Sequence, residues 1–150
     1  MLELVGDLWE AHALGHWVTI TTNGVVTRDG RCVMGRGVAK EAATRFPGLP
    51  LALGARIRED GHMVHFFPDT RIIAFPVKYH WRDTASLTLI EKSARGMVAK
   101  LARLVDPLRK IQAIYMVRPG CGNGGLAWSQ VRPVIAPILD NRFIVVNREE

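Results

Sequence analysis

Three short stretches hold the residues with which this chain could do chemistry. In 75-FPVKYHWRD-83 a lysine, Lys78, closes an apolar run and is followed by Tyr79, His80, Trp81 and Arg82. A lysine amine acts as nucleophile or base when burial or neighbouring cations favour its neutral form. Otherwise it is a surface charge beside an aromatic latch, and spacing alone leaves both readings open. In 119-PGCGNGGLAW-128 four glycines fall between Gly120 and Gly125. So much glycine costs conformational entropy on folding, and a plain connector does not need it. The third stretch begins at 21-TTNG-24 and continues to 33-VMGRGVAK-40, where Gly35 and Gly37 flank Arg36 and open into a helical pattern. Such a loop lets a ligand approach the backbone, and the helix start beyond it offers unpaired N–H groups to a phosphate. It is only a fragment of a dinucleotide fingerprint, lacking the third glycine and any Walker lysine-serine pair. A structural turn and a phosphate cradle both fit it. With a second glycine loop present, two facing anion cradles are the sharper expectation.

Other residues offer less. Asp7 follows Gly6 and the first apolar run, as a turn residue or as an acceptor for an amino group such as that of adenine. Asn23 is a turn former or an amide aimed at a sugar hydroxyl. His62 and His65, three apart in an expected strand, face opposite sides and do not share a metal. No Ser-His-Asp arrangement is readable, nor a carboxylate pair suited to acid–base work or to a metal. No metal and no cofactor are therefore expected.

The elements that must position these loops come from hydrophobic patterning. Apolar, β-branched runs recur at 2-LELV-5, 17-WVTIT-21, 63-MVHFF-67, 72-IIAFPV-77, 111-IQAIYMV-117 and 143-FIVV-146. Several are continuous, as expected for central strands covered on both faces. The pattern predicts helices over 38–46, over 86–105 and from Ser129 to Leu139. The second carries an apolar stripe from Leu87 and Ile90 through Met97 to Leu104 and Val105, with Thr88 and Glu91 as a capping box near its start. Ser129 is the expected cap of the third, with Pro133 in its first turn and Pro137 ending it. Pro68-Asp69 reads as a hairpin turn. Strands alternating with helices predict an α/β/α sandwich around a mixed sheet, with ligands bound at the carboxyl ends of the strands. The loops after Thr22, Val77 and Val117 all emerge there.

Bulk properties narrow the setting. A length of 150 residues suits one domain spanning 1–150, and 48% hydrophobic with 23% charged residues is ordinary for a globular chain. Twenty Lys and Arg against fourteen Asp and Glu give +6, a surplus that favours polyanions, though the basic residues are scattered. Cys32 and Cys121 are too few for a disulfide framework or a zinc site. With no signal-peptide pattern and no apolar run of membrane-spanning length, a cytoplasmic location without membrane attachment is expected.

Taken in order, 6-GDLW-9, 20-ITTNG-24, 33-VMGRGVAKEAATRFP-47, 73-IAFPVKYHWRD-83 and 119-PGCGNGGLAWSQVRPVI-135 resemble a macrodomain, the ADP-ribose-binding α/β/α module. The last two are most like the antitoxin macrodomains of the DarG type, which remove ADP-ribose from thymidine in single-stranded DNA. The resemblance implies a glycohydrolase that binds ADP-ribose and acts on ADP-ribosylated nucleic acid, single-stranded DNA in particular, opposite an ADP-ribosyltransferase toxin. It implies that Asp7 contacts the adenine amino group with Leu8 beside it, and that Asn23 lies near the distal ribose. Gly35, Arg36, Gly37 and Val38 would wrap the distal ribose and pyrophosphate. Gly120, Cys121, Gly122, Asn123, Gly124 and Gly125 would form the facing phosphate loop. Lys78 falls on the catalytic lysine, and Tyr79, His80 and Trp81 on substrate contacts. Two departures stand out. The stretch 25-VVTRDGRC-32 is an insertion, and Asn123 occupies the neighbourhood where glutamate-ester hydrolases carry an aspartate. The same loops would also serve a non-catalytic ADP-ribose reader, an ADP-ribose 1''-phosphate phosphatase or a protein de-ADP-ribosylase.

Overall fold

The computed structural model describes residues 1–103 and 111–148. Strands β1 (Leu2–Val5), β2 (Trp17–Thr22), β3 (His65–Phe67), β4 (Ile72–Pro76), β5 (Ile114–Met116) and β6 (Phe143–Asn147) form a sheet in the order β1-β6-β5-β2-β4-β3. All neighbours are parallel except β3 on β4. Helices α1 (Leu8–Ala13), α2 (Gly37–Arg45) and α3 (Leu49–Asp60) cover one face, and α4 (Leu87–Arg103) and α5 (Trp128–Ile135) the other.

The two-residue period of a strand decides which core each side chain joins. In β4, Ile72 and Ala74 pack with α1–α3, whereas Ile73 and Phe75 pack with α4 and α5. In β6, Val146 joins the first core, and Phe143 and Val145 the second. Every residue of β4 is buried, as its unbroken apolar run requires. The expected α/β/α sandwich with a mixed sheet is what forms. Among the described residues no helix is long and apolar enough to cross a membrane.

Several local expectations are corrected. The cap of α4 is Ser86, whose Oγ accepts from the Leu89 N–H at 3.2 Å, not Thr88, which is exposed. Glu91 turns outward to Arg95, 3.4 Å away. Leu104 and Val105, placed on the stripe of this helix, lie outside the described residues. The cap of α5 falls two residues earlier than expected, at Ala127, whose N–H donates to Gln130 Oε1 at 3.0 Å. Ser129 therefore sits inside the first turn and Pro133 in the body of the helix, which ends at Ile135, ahead of Pro137. Pro68-Asp69 does turn β3 into β4, with Thr70 N–H on Phe67 O and Arg71 at φ 56°. Helices α1 and α3 were not expected. The first is short, and the second contains Pro50 and Gly54, both poor helix formers.

Candidate functional site

Four parallel strands, β2, β4, β5 and β6, end at one edge of the sheet, and a cleft of about 980 Å³ opens there. The loops after Thr22, Val77 and Val117 all reach it, as expected of loops at the carboxyl ends of strands. Leu8, Asn23, Gly35 to Val38, Lys78, Trp81 and Gly120 to Gly124 lie on its wall. Asp7, Gly125, Tyr79 and His80 do not, for reasons visible in their contacts. Asp7 caps α1, accepting from the Trp9 N–H at 2.9 Å. Gly125 closes the turn of its loop with φ 78° and an N–H bonded to Gly122 O. Tyr79 faces solvent, 60% exposed, at the outer lip. The His80 N–H donates to Asp83 Oδ2 and its ring Nδ1 accepts from the Arg82 N–H, which shapes the loop.

The first cradle is built by the start of α2. Arg36 occupies the cap position with an extended backbone and gives no side-chain cap, so the first N–H groups of the helix have no partner within it. With the helix dipole behind them, these groups favour an anion. Gly37 adopts φ 58°, a conformation that penalises a Cβ, and a Cβ there would lie 3.0 Å from Asn123 Nδ2. The two glycine loops thus touch across the cleft at Gly37 and Asn123. Gly120 is also left-handed, at φ 75°, and has a second reason to be glycine: a Cβ there would meet Ile90 Cδ1 of α4 at 2.7 Å.

Asn23 is buried, and its amide is engaged locally. Nδ2 donates to Val33 O at 2.9 Å and Oδ1 accepts from the Val25 N–H at 2.9 Å. It therefore pins the two ends of the 25–32 insertion, a small hairpin with Val26 paired to Cys32. The insertion in turn is clamped to α3: Cys32 N–H donates to Pro50 O at 2.9 Å and Arg58 Nη2 to Thr27 O at 2.8 Å. Burial pushes the Cys32 thiol up to about 11, which makes it an inert packing residue. Cys121, on the cleft wall, is also raised by burial, with the Arg118 charge opposing.

Lys78 sits at the junction of the loops. Its Nζ donates to Trp81 O at 3.3 Å and to Asn123 O at 3.4 Å. Its own carbonyl lies 3.0 Å from His62 Nε2, and Gly24 N–H donates to Tyr79 O. Trp81 is 44% exposed, with His80 tilted against it at 5.2 Å and the Arg82 guanidinium 4.9 Å from its ring. His62 lies ahead of β3 rather than in the strand expected for it, and its Nε2 meets Lys78 O, whereas His65 Nε2 pairs with Gly61 O. Among the described residues no group of three or more His, Cys, Asp or Glu is placed to hold a metal ion.

Sequence reasoning named Asp7 and Leu8 at the end of the cleft nearest α1 but missed Glu41 and Arg148 there. Arg148, just past β6, donates to Glu41 Oε2 at 3.1 Å and approaches Asp7 Oδ1 at 3.4 Å, while Trp9 Nε1 donates to Glu41 Oε1 at 3.0 Å. Burial works to raise the Glu41 carboxyl, but hydrogen bonds from Arg148 and Trp9 and the charges of Arg148 and Arg45 outweigh it and hold the group below its ordinary value. Arg118 was missed too. It lines the cleft with its guanidinium 5.1 Å from the Trp128 ring, and its buried Nε has no partner in the structure.

A three-layer sandwich with a cleft between two glycine loops at the carboxyl ends of its parallel strands defines the class of fold: the chain has the macrodomain fold. Within that class it is similar to the macrodomains of DarG proteins. The macrodomain of Thermus aquaticus DarG superposes with a TM-score of 0.76 at 26% identity, over 99% of this chain and 97% of that one. Thermosipho africanus DarTG in complex with ADP-ribose has the same fold, with a TM-score of 0.77 at 21% identity, covering 99% of this chain and 42% of that chain. By sequence the chain is 29% identical over 150 residues to the DNA ADP-ribosyl glycohydrolase of Thermus aquaticus, covering 93% of this chain and 38% of the relative. It is 26% identical to a DNA ADP-ribosyl transferase-DNA ADP-ribosyl glycohydrolase fusion protein of Thermosipho africanus, of which it covers 39%. The chain thus spans well under half the length of these relatives. A scan against protein-family models returned no match.

Proposed function

We propose that the chain binds ADP-ribose in the cleft and removes it from a nucleic-acid base. The observation that carries the reading is the position of Lys78: its amine lies on the wall between the two glycine loops, bridging Trp81 O and Asn123 O. In this reading the adenine end lies by Leu8, and the diphosphate lies between the α2 amides and the Gly120 to Gly125 loop. The distal ribose then faces Lys78. Cleaving a glycosidic bond develops positive charge at the anomeric carbon, which the nearby diphosphate offsets. Lys78 acts on that linkage: its neutral amine attacks the carbon as the bond to the base breaks, or its ammonium protonates the departing base, and in either case water takes the anomeric carbon to release ADP-ribose. Trp81, exposed beside the amine, offers a face on which the base stacks. Similarity to proteins named DNA ADP-ribosyl glycohydrolase supports DNA as the substrate. The fused relative supports a DNA-modifying ADP-ribosyltransferase as the opposing enzyme, which gives the chain an antitoxin role in the cytoplasm.

The test is release of ADP-ribose from ADP-ribosylated single-stranded DNA by the wild type and by Lys78→Ala. The variant should lose release while binding ADP-ribose in calorimetry. Equal release by both would remove Lys78 from the chemistry. Binding without turnover by the wild type, on nucleic-acid, protein and 1''-phosphate substrates alike, would make the chain a reader.

A further inference from the structure

A second groove, of about 200 Å³, lies between α4 and residues 62–64 leading into β3. One residue joins it to the cleft. His62 lines the groove, yet its Nε2 is 3.0 Å from the Lys78 carbonyl and its ring is 5.7 Å from that of Tyr79. The groove is cationic: Lys92, Lys100 and Arg103 all line it. Lys100 donates to Val64 O, whereas Lys92 and Arg103 are exposed. Lys92, Gly96, Ala99 and Arg103 recur at helical spacing along one side of α4, over about 16 Å of its axis. Gly96 and Ala99 leave the helix surface low between the two cations, and a Cβ at Gly96 would meet nothing within 4 Å.

The local charge balance is one-sided. Burial first, then the charges of Arg56 and Arg103, push the Lys100 amine below its ordinary value, with Asp60 opposing. Asp60 is itself engaged by Arg56 at 3.3 Å. Cations gathered this way repel one another, and a polyanion laid across them relieves the repulsion. The floor, Leu89 with Val64 and the exposed Met63, is apolar enough for sugar and base faces.

We propose that a nucleic-acid single strand with its modified base at Lys78 passes over Tyr79 and His62 and lays its backbone along this groove, its phosphates on Lys92 and Arg103. The proposal rests on the reading that the cleft takes ADP-ribosylated nucleic acid. It extends the contact from one nucleotide to a track of neighbours, and it accounts for exposed Tyr79, which lies off the cleft wall but on the way to the groove.

The test is binding of a labelled, unmodified oligothymidine across a salt series, comparing wild type, Lys92→Ala/Arg103→Ala and the charge-keeping Lys92→Arg/Arg103→Lys. Removing two phosphate contacts should lower the slope of log K against log salt by about 1.4 and weaken binding about ten-fold at the lowest salt. The charge-keeping pair should stay near wild type. ADP-ribose affinity, measured by calorimetry on the same proteins, should not move, because neither residue lines the cleft. An unchanged slope, or a wild type that does not bind the strand, overturns the track. So does a polyglutamate peptide of equal charge that competes as well as the oligonucleotide, which would assign the groove to an acidic protein segment. If the slope falls as expected but no ADP-ribose is released from modified DNA, the track stands and the glycohydrolase reading fails. If release proceeds while the slope ignores Lys92 and Arg103, only the track fails.

Discussion

Gly54→Ala sets two physical rules against each other inside α3. On helix propensity alone, replacing a mid-helix glycine by alanine stabilises a protein by about 1 kcal/mol. Here the new Cβ would overlap Gly30 O, lie 2.9 Å from Gly30 C and 3.1 Å from Cys32 N. All three are backbone atoms, so no side chain can swing away. Overpacking of this kind costs about 1–3 kcal/mol. Displacing the hairpin also breaks the bond from Cys32 N–H to Pro50 O, for about 1 kcal/mol more. Set against the propensity gain, the net is a loss of about 1–3 kcal/mol, or a fall in Tm of roughly 2–12 °C for a chain of this size. Gly96→Ala in α4 is the matched control. It meets nothing within 4 Å, and its Tm should rise by about 2–4 °C. Because the hairpin carries Val33 and Met34 to the cleft, Gly54→Ala should also weaken ADP-ribose binding. Thermal melting by circular dichroism and calorimetric titration measure both. A Gly54→Ala protein that melts at or above the wild-type temperature would refute the packing argument.

Gly37→Ala must hold a left-handed backbone at a cost of about 1–2 kcal/mol and press on Asn123 Nδ2, so calorimetry should show weaker ADP-ribose binding with little change in far-UV circular dichroism. Asn123→Asp puts a carboxylate beside the start of α2, where it competes with the diphosphate for the same amides. ADP-ribose affinity should fall about ten-fold, and an unchanged Kd would move the diphosphate elsewhere. His65 is fully buried, with Nε2 paired to Gly61 O at 2.9 Å and Nδ1 without a partner. Burial first, aided by the charges of Lys100 and Arg56, depresses its pKa, and burial does the same at His62. Their stabilisation is therefore complete above the unfolded imidazole value of about 6.5 and is lost as pH falls below it, so Tm should drop between pH values of about 7 and 5, and less so in His65→Gln.

What was legible in the sequence was whatever is written locally. The β4 run and the stripe of α4 announce their burial within a few residues, and glycine density marks both loops without any knowledge of their partners. Helix α3 was hidden because Gly54 and Pro50 are breakers by propensity. Pro50 sits in the first turn, where its missing N–H costs nothing, and Gly54 answers a contact with Gly30 that no window of sequence contains. Glu41 and Arg148 were hidden for a similar reason: they meet across 107 residues, and neither carries a motif. Asn23 could be read as a turn former or as a cleft amide, and the sequence could not choose; the structure puts it on the cleft wall with its amide engaged locally. The bond to Val25 is the turn that the sequence allowed; the bond to Val33, across the insertion, is what the sequence did not contain.

These long-range contacts bear on whether the cleft merely holds a ligand or also cuts one. Both ends of Lys78 are held: Trp81 O of its own loop and Asn123 O of the facing glycine loop take its amine, the His62 ring meets its carbonyl, and beside it Gly24 N–H donates to the carbonyl of Tyr79. A lysine needed only for packing or solubility would not require two other segments to meet at its ends. The arrangement fixes the amine relative to the α2 amides, and through them relative to any diphosphate bound there. Fixing a reactive group against the non-reacting part of a substrate is the way binding energy is turned into rate. It follows that shortening the ligand should expose the role of Lys78. A substrate keeping the base–ribose linkage but lacking the adenosine diphosphate should lose turnover far beyond its loss of affinity, because nothing would then hold its anomeric carbon against the amine.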